Sequence, residues 1–220
     1  MRAVCFDLDD TLFDYHQYVR GGLLAAAAAL EARTGRDHGE ELLSLYFEEG
    51  VTDATFDRLL SRHDLSPSLV PELVEAYHGS PTEMRLSPYP DARPTLDRLA
   101  DDYALGVVTD GRNGHAKLDV LGLETYFETV VVTPEHGISK REERAFRLAL
   151  DDLGVDPART AYVGDNPVTD FREPNRLGMR TVRLRRGRYR DRTPEDGARP
   201  DHVIDSLDRL PSLLEPNPHP

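Results

Sequence analysis

The chain has 220 residues, 39% of them apolar and 30% charged, with a formal net charge of −13. A chain of this size buries about 70% of its unfolded surface and folds without covalent staples. Its single cysteine, Cys5, excludes an intramolecular disulfide, a redox pair and a cysteine-based zinc site. No apolar run approaches the roughly 20 residues that span a bilayer, and the first apolar run follows Met1-Arg2 with no signal-like segment. The acidic balance repels nucleic acid and anionic membranes. The expectation is a cytoplasmic protein with a small-molecule partner, no nucleic-acid or membrane partner, and a monomeric or homodimeric state.

In chain order, residues 3–8 form an apolar run ending in acids, which predicts a buried strand with charge at its carboxyl end. Val19, Leu23, Ala26 and Leu30 recur at helical spacing, as do Phe56, Leu59, Leu60 and His63, and then Val70, Leu73, Val74 and Tyr77. Residues 15–80 therefore read as a helical block without strands. Gly21-Gly22 is a weak spot in its first helix, and Ser80-Pro81 with Ser87-Pro88-Tyr89-Pro90 reads as the linker out of it.

Beyond Pro90 the period changes. Strands are predicted over 103–109, 129–132, 160–163 and 179–184. Helices fall around Leu96 and Leu99, over 114–121, from near Lys140 to Leu153, and over 168–177, where Pro174 breaks or shortens the last. This alternation predicts an α/β fold, a Rossmann-like doubly wound parallel sheet covered on both faces, which the first strand joins. The expected domains are a core of residues 1–14 and 86–220 and an inserted helical segment, 15–85. The Pro-rich end, 210–220, is expected to fray.

Ligands of open α/β sheets bind at the carboxyl ends of the strands. Those ends carry Asp7, Asp9 and Asp10, then Thr109-Asp110-Gly111, then Asp165 with Asp170 beyond it. A lone Asp after a strand is usually a helix cap or a turn former. Acids converging from several strand ends are different, because like charges a few Å apart resist joint ionisation. A divalent cation resolves the conflict, and Mg²⁺ takes a few carboxylates with water and phosphate oxygens. Of 27 basic residues only Lys117 and Lys140 are lysines; Lys140, opening the helix after the 129–132 strand, stands out for that reason. No nucleoside-triphosphate loop, dinucleotide glycine motif or serine-hydrolase elbow occurs.

Phe6-Asp7-Leu8-Asp9-Asp10-Thr11-Leu12 resembles the first motif of the haloacid dehalogenase-like (HAD) hydrolase superfamily. Val108-Thr109-Asp110-Gly111 resembles its second motif, Lys140 its third and Gly164-Asp165-Asn166-Pro167-Val168-Thr169-Asp170 its fourth, in the right order over residues 3–184. The helical insertion is similar to the family's C1 cap. The resemblance implies a Mg²⁺-dependent phosphatase of small-metabolite phosphomonoesters. Asp7 would be the nucleophile, forming an aspartyl-phosphate. Asp9 would protonate the leaving oxygen and later deprotonate water. Mg²⁺ would sit on the Asp7 and Asp165 carboxylates and the Asp9 carbonyl, with Asp170 orienting this shell directly or through Lys140. Lys140 would neutralise charge at the nucleophile, and Thr109 with the amides of Asp110 and Gly111 would bind phosphate. Asp110 stands where the family often has Asn, so its carboxylate must point away from the phosphate.

Asp9 favours phosphate chemistry over dehalogenation, since a departing halide needs no proton. The alternatives are a phosphomutase resembling β-phosphoglucomutase and a non-catalytic binding protein on the same fold. Phosphoglycolate, a sugar or triose phosphate, and a nucleoside monophosphate are the substrate types implied. His16 and Arg20, on one helix face with Gln17 beside them, are candidate substrate contacts, with hinge or solvent roles the other reading of His16 and Gln17. Arg112 and Asn113 are candidates too. Tyr46 and Phe47 read as packing residues, and Cys5 as a small buried hydrophobe. Residues 180–192 hold seven arginines and one aspartate and are expected to pair with the protein's own carboxylates rather than with nucleic acid.

Overall fold

The computed structural model describes residues 1–79 and 81–214, with only the backbone of Glu83. It divides into two compact units, one of Met1–Tyr15 with the chain from Ser87 onward, the other His16–Leu86. The second unit holds helix α1 (Tyr15–Thr34) from its second residue on, with α2 (Gly39–Phe47), α3 (Thr55–Arg62) and α4 (Val70–Tyr77), and no strand among its described residues. The stripe predicted for the first helix is its buried face, with Val19, Leu23, Ala26 and Leu30 all inside.

Gly21-Gly22 does not interrupt α1, which runs through both residues. A Cβ on Gly22 would lie 2.7 Å from the Tyr77 ring, and one on Gly21 would lie 2.6 Å from Met84 Cγ. The pair therefore admits close neighbours, which offsets the roughly 1 kcal/mol that each glycine costs a helix. The His63 Nε2 lies 2.7 Å from Glu41 Oε2, linking the end of α3 to α2. That hydrogen bond holds the Glu41 carboxyl below its ordinary range.

The first unit is built on β1 (Ala3–Phe6), β2 (Ala104–Thr109), β3 (Thr129–Val132), β4 (Thr160–Gly164), β5 (Arg180–Leu184) and β6 (His202–Ile204). All pairs are parallel, in the order β3-β2-β1-β4-β5-β6. Continuous apolar runs suit strands buried on both faces, and β1 is wholly buried between β2 and β4. The chain fills one side of β1 with β2 and β3, then returns to lay β4, β5 and β6 on the other. This reversal opens a crevice at the carboxyl ends of β1 and β4.

The flanking helices are α5 (Ala92–Ala100), α6 (Gly114–Leu121), α7 (Glu143–Leu153), α8 (Arg172–Leu177) and α9 (Leu210–Leu214). Helix α7 packs Ala145, Phe146, Ala149 and Leu150 into a core with Cys5, Val108, Val131 and Tyr162. Phe146 meets the Tyr162 ring edge-on at 5.0 Å between centroids. Burial pushes the Cys5 thiol up to about 12, so it packs as an inert small hydrophobe.

The α/β fold is as expected, with differences that have local causes. Strand β1 stops at Phe6, leaving Asp7 just past its end. Helix α7 starts at Glu143, so Lys140 sits in the turn before it and not in the helix. Residues 166–170 form a turn, and α8 begins only at Arg172. Pro174 is accommodated in the first turn of α8, where its missing N–H removes no helical bond. Strand β6 was not anticipated: it has three residues, of which only Ile204 is buried. Leu210, Pro211 and Leu214 are buried in α9, so this part of the expected frayed end is a packed helix. Residues 215–220, like Ser80 of the expected linker, lie outside the described residues. No helix among the described residues is long and apolar enough to cross a membrane.

Three arginines of β5 and the loop after it are tied down by the protein's own acceptors. Arg186 reaches both Asp91 oxygens at 2.8 and 3.0 Å and stacks on Tyr89 at 3.9 Å. Arg183 donates to the carbonyls of Tyr189 and Arg192 at 2.8 and 2.7 Å. Arg188 Nε donates to Asp10 at 2.6 Å.

Candidate active site

A cavity of about 300 Å³ lies at the carboxyl ends of β1, β2 and β4. Its walls include Asp7, Asp9, Thr109, Lys140 and Asp165, with Tyr15, Arg188 and Tyr189, and every lining residue belongs to the first unit. The parallel register places Phe6 beside Val107 and Val163, so the residues that follow each strand emerge side by side.

Lys140 is the hub. Its buried Nζ donates to Asp7 Oδ1 and to Asp170 Oδ1, both at 2.6 Å, and reaches Tyr162 Oη at 3.4 Å. Tyr162 passes its own hydrogen to the Val108 carbonyl at 3.1 Å, which fixes the hydroxyl as an acceptor toward the lysine. Asp170 Oδ2 accepts the Asn166 N–H at 2.7 Å. A Cβ on residue 164 would stand 2.3 Å from that oxygen, so glycine is required there. Asp110 lines the cavity, and its Oδ1 is engaged: it accepts from Thr133 Oγ1 at 2.5 Å and from the Lys140 N–H at 2.8 Å.

The electrostatics are uneven. Burial opposes the charge on Lys140, but Asp170 and Asp7 more than offset it and hold the ammonium well above its ordinary range. Burial pushes the Asp7 carboxyl up to about 7, with Lys140 pulling the other way. Burial, then Asp7 and Asp170, push Asp165 well above the usual carboxylate range. One lysine does not balance three buried acids.

The surplus suits a divalent cation. Oxygens of Asp7, Asp165 and Asp170 lie within 4.8 Å of one another. Those of Asp170 are engaged by Lys140 and Asn166. Asp165 Oδ2 is buried without a hydrogen-bond partner. Thr11 Oγ1 stands 3.4 Å from both Asp7 Oδ2 and Asp165 Oδ1, one hydrogen for two acceptors. Hard, under-satisfied oxygens of this kind fit Mg²⁺ or a similar ion.

A pH dependence follows. A carboxyl whose folded pKa is raised binds its proton more tightly in the folded state, so stability without cation falls as pH rises from about 4 through about 7. A divalent cation replaces that proton. It is expected to raise the melting temperature more at about pH 8 than at about pH 5, as calorimetry with and without the ion would read. Equal shifts at both values would exclude Asp7 and Asp165 as the binding pair.

Asp9 also faces the cavity, but its partner is Lys117, whose Nζ donates to both carboxylate oxygens at 2.7 and 3.1 Å. The Gly111 N–H donates to Thr109 Oγ1 at 3.0 Å, which leaves the Thr109 hydroxyl hydrogen for another acceptor. Arg112 is exposed, Asn113 turns the chain into α6 with φ of 60°, and neither lines the cavity. His16 and Arg20 lie on one exposed face of α1 within the helical unit, both against Phe47, at 5.5 and 5.1 Å.

Lys117, Tyr162, Tyr15 and Arg188 were not expected here. The scarcity of lysine that marked Lys140 marks Lys117 equally. Arg188 lies inside the basic segment, while a tyrosine in an apolar strand gives no signal beyond core packing.

The family model described as haloacid dehalogenase-like hydrolase matches residues 1–174. The chain is similar to a glyceraldehyde 3-phosphate phosphatase of Methanopyrus kandleri, 39% identical over 218 residues that cover 93% of each chain. It is 30% identical to another glyceraldehyde 3-phosphate phosphatase, from Methanocaldococcus jannaschii, over 98% of this chain and 97% of that one. Among solved structures, an HAD phosphatase of Thermococcus onnurineus superposes with a TM-score of 0.66 at 28% identity, covering 97% of this chain and 98% of the other.

Proposed function

The chain belongs to the haloacid dehalogenase-like hydrolase family, and we propose that within it this protein is a Mg²⁺-dependent phosphatase of small phosphomonoesters, with a triose phosphate as its substrate type. The observation that carries this reading is the meeting of Asp7, Asp165 and Lys140 around one cavity with Asp9 in its wall. The Asp7 and Asp165 carboxylates and the Asp9 main-chain carbonyl would hold the ion. Bound there, Mg²⁺ supplies positive charge against phosphate oxygens and carboxylates in an otherwise acidic protein.

Asp7 attacks phosphorus in line, and the bond to the ester oxygen breaks as the aspartyl-phosphate forms. Asp9, entering this step as the carboxylic acid, gives its proton to the departing oxygen and becomes the carboxylate. Water then attacks the phosphorus of the intermediate, Asp9 takes its proton, and phosphate leaves with Asp7 restored. Lys140 offsets the charge on Asp7 throughout, held by Asp170 and Tyr162. The Thr109 hydroxyl donates to a phosphate oxygen. The helical unit serves as the cap that excludes water and chooses the leaving group. The two archaeal relatives above bear the name glyceraldehyde 3-phosphate phosphatase, and this supports a three-carbon ester.

The test is phosphate release with Mg²⁺ from glyceraldehyde 3-phosphate, phosphoglycolate, a hexose phosphate and a nucleoside monophosphate. Fastest release from the triose ester is expected. Isomerised sugar phosphate without release would make the protein a mutase instead. No turnover of any ester by folded, Mg²⁺-saturated protein would make it a binding protein.

A further inference from the structure

Both lysines of this chain are buried against acids of the first motif, and only one of them belongs to the mechanism above. Lys140 meets Asp7; Lys117, 1% exposed, meets Asp9. Asp9 lines the cavity and Lys117 does not, so the lysine stands behind the carboxylate and off the substrate's path. Among the described residues, Lys117 is the one cation paired with Asp9.

The placement is built from several features. Gly114 opens α6, and a Cβ there would lie 2.6 Å from Val132 Cγ2 and 3.2 Å from Thr109 Cγ2, so the helix approaches β2 and β3 more closely than any other residue permits. The Lys117 N–H closes the first turn on the Asn113 carbonyl at 2.9 Å. Its ammonium then lies 5.7 and 5.4 Å from the ring centroids of Phe13 and Tyr15, which flank the charge with apolar faces. On the far side stands Gly111, where a Cβ would be 2.2 Å from Asp9 Oδ2 and 3.1 Å from Lys117 Nζ. The glycine of the second motif thus makes room for the Asp9–Lys117 pair.

We infer that Lys117 is a positioning residue for the acid–base step: bonded to both oxygens of Asp9 and seated against Gly111, it holds that carboxylate in the one orientation that faces the ester oxygen. An unrestrained aspartate has two free side-chain torsions and would sample orientations that miss the departing oxygen. Proton transfer demands hydrogen-bond distance at the moment of bond cleavage. The inference rests on the phosphatase reading and on Asp9 as the acid.

The leaving group supplies the test. A nitrophenolate departs without a proton, whereas an alkoxide from an alkyl phosphate needs one. kcat/KM reports the steps up to release of the leaving group, which is where the acid acts. Lys117→Met is expected to lower kcat/KM for the alkyl ester by about tenfold or more beyond its effect on p-nitrophenyl phosphate. Asp9→Asn should show the same bias, and Lys117→Met in the Asp9→Asn background should add less than about threefold. Equal losses on both esters, a bias toward the nitrophenyl ester, or full additivity with Asp9→Asn would each overturn the inference. If Lys117→Met does not fold, the same ratios are read on Lys117→Gln. Wild-type protein that hydrolyses neither ester would instead defeat the phosphatase reading itself.

Discussion

Asp7→Asn is expected to lower kcat/KM for every phosphate ester by at least about 10³-fold, while leaving the cation-free protein as stable as the wild type or more so. The two halves have one cause. Asp7 is buried in the cavity wall, and burial pushes its carboxyl up to about 7. Above that pH the ionised form is held against its preference, which costs stability in the folded state. The amide keeps the shape and removes the charge. Lys140 retains its bond to Asp170 and so is not orphaned. A nucleophile, however, cannot be replaced by an amide. Phosphate release and thermal unfolding at about pH 8 measure both effects. Turnover within about tenfold of wild type would remove Asp7 from the reaction.

Lys140→Met should be the most destabilising single change at the site, by about 3–5 kcal/mol in cation-free buffer. The ammonium is buried with two carboxylates at 2.6 Å, and a third, Asp165, also lies at the cavity. Replacing it with an apolar chain of similar length leaves those acids without a cation, the case in which breaking a buried pair is costly. Catalysis should fall by about 10²-fold or more as well, because the charge compensation at phosphorus is lost. Part of the lost stability should return on adding Mg²⁺, which supplies the missing positive charge from the Asp7–Asp165 side. Urea unfolding with and without the ion reads this directly. An unchanged midpoint in the absence of Mg²⁺ would show that Lys140 does not carry the charge balance.

The strands were legible because burial on both faces writes itself as short, unbroken apolar runs, such as Thr129–Val132 and Thr160–Gly164. The acids at their ends were legible because a strand end in a parallel sheet is a defined place. Element boundaries were less so: the turn at 166–170 and the late start of α7 depend on where Asp170 and Lys140 find partners, not on periodicity. Strand β6 escaped because two of its three residues are not buried.

Residue type and spacing alone determined that this chain forms a parallel α/β sheet and gathers carboxylates at the ends of its strands, since both follow from local hydrophobic pattern and chain direction. Which cation answers which acid was decided only in three dimensions. Lys117 and Asp9 are 108 positions apart, and Lys140 and Asp7 133 apart. Asp170 is kept from acting as a free metal ligand by its bonds to Lys140 and Asn166. Such pairings depend on distances of a few Å across the folded sheet, where Coulomb forces in a dry interior are strong, and no periodicity along the chain records them.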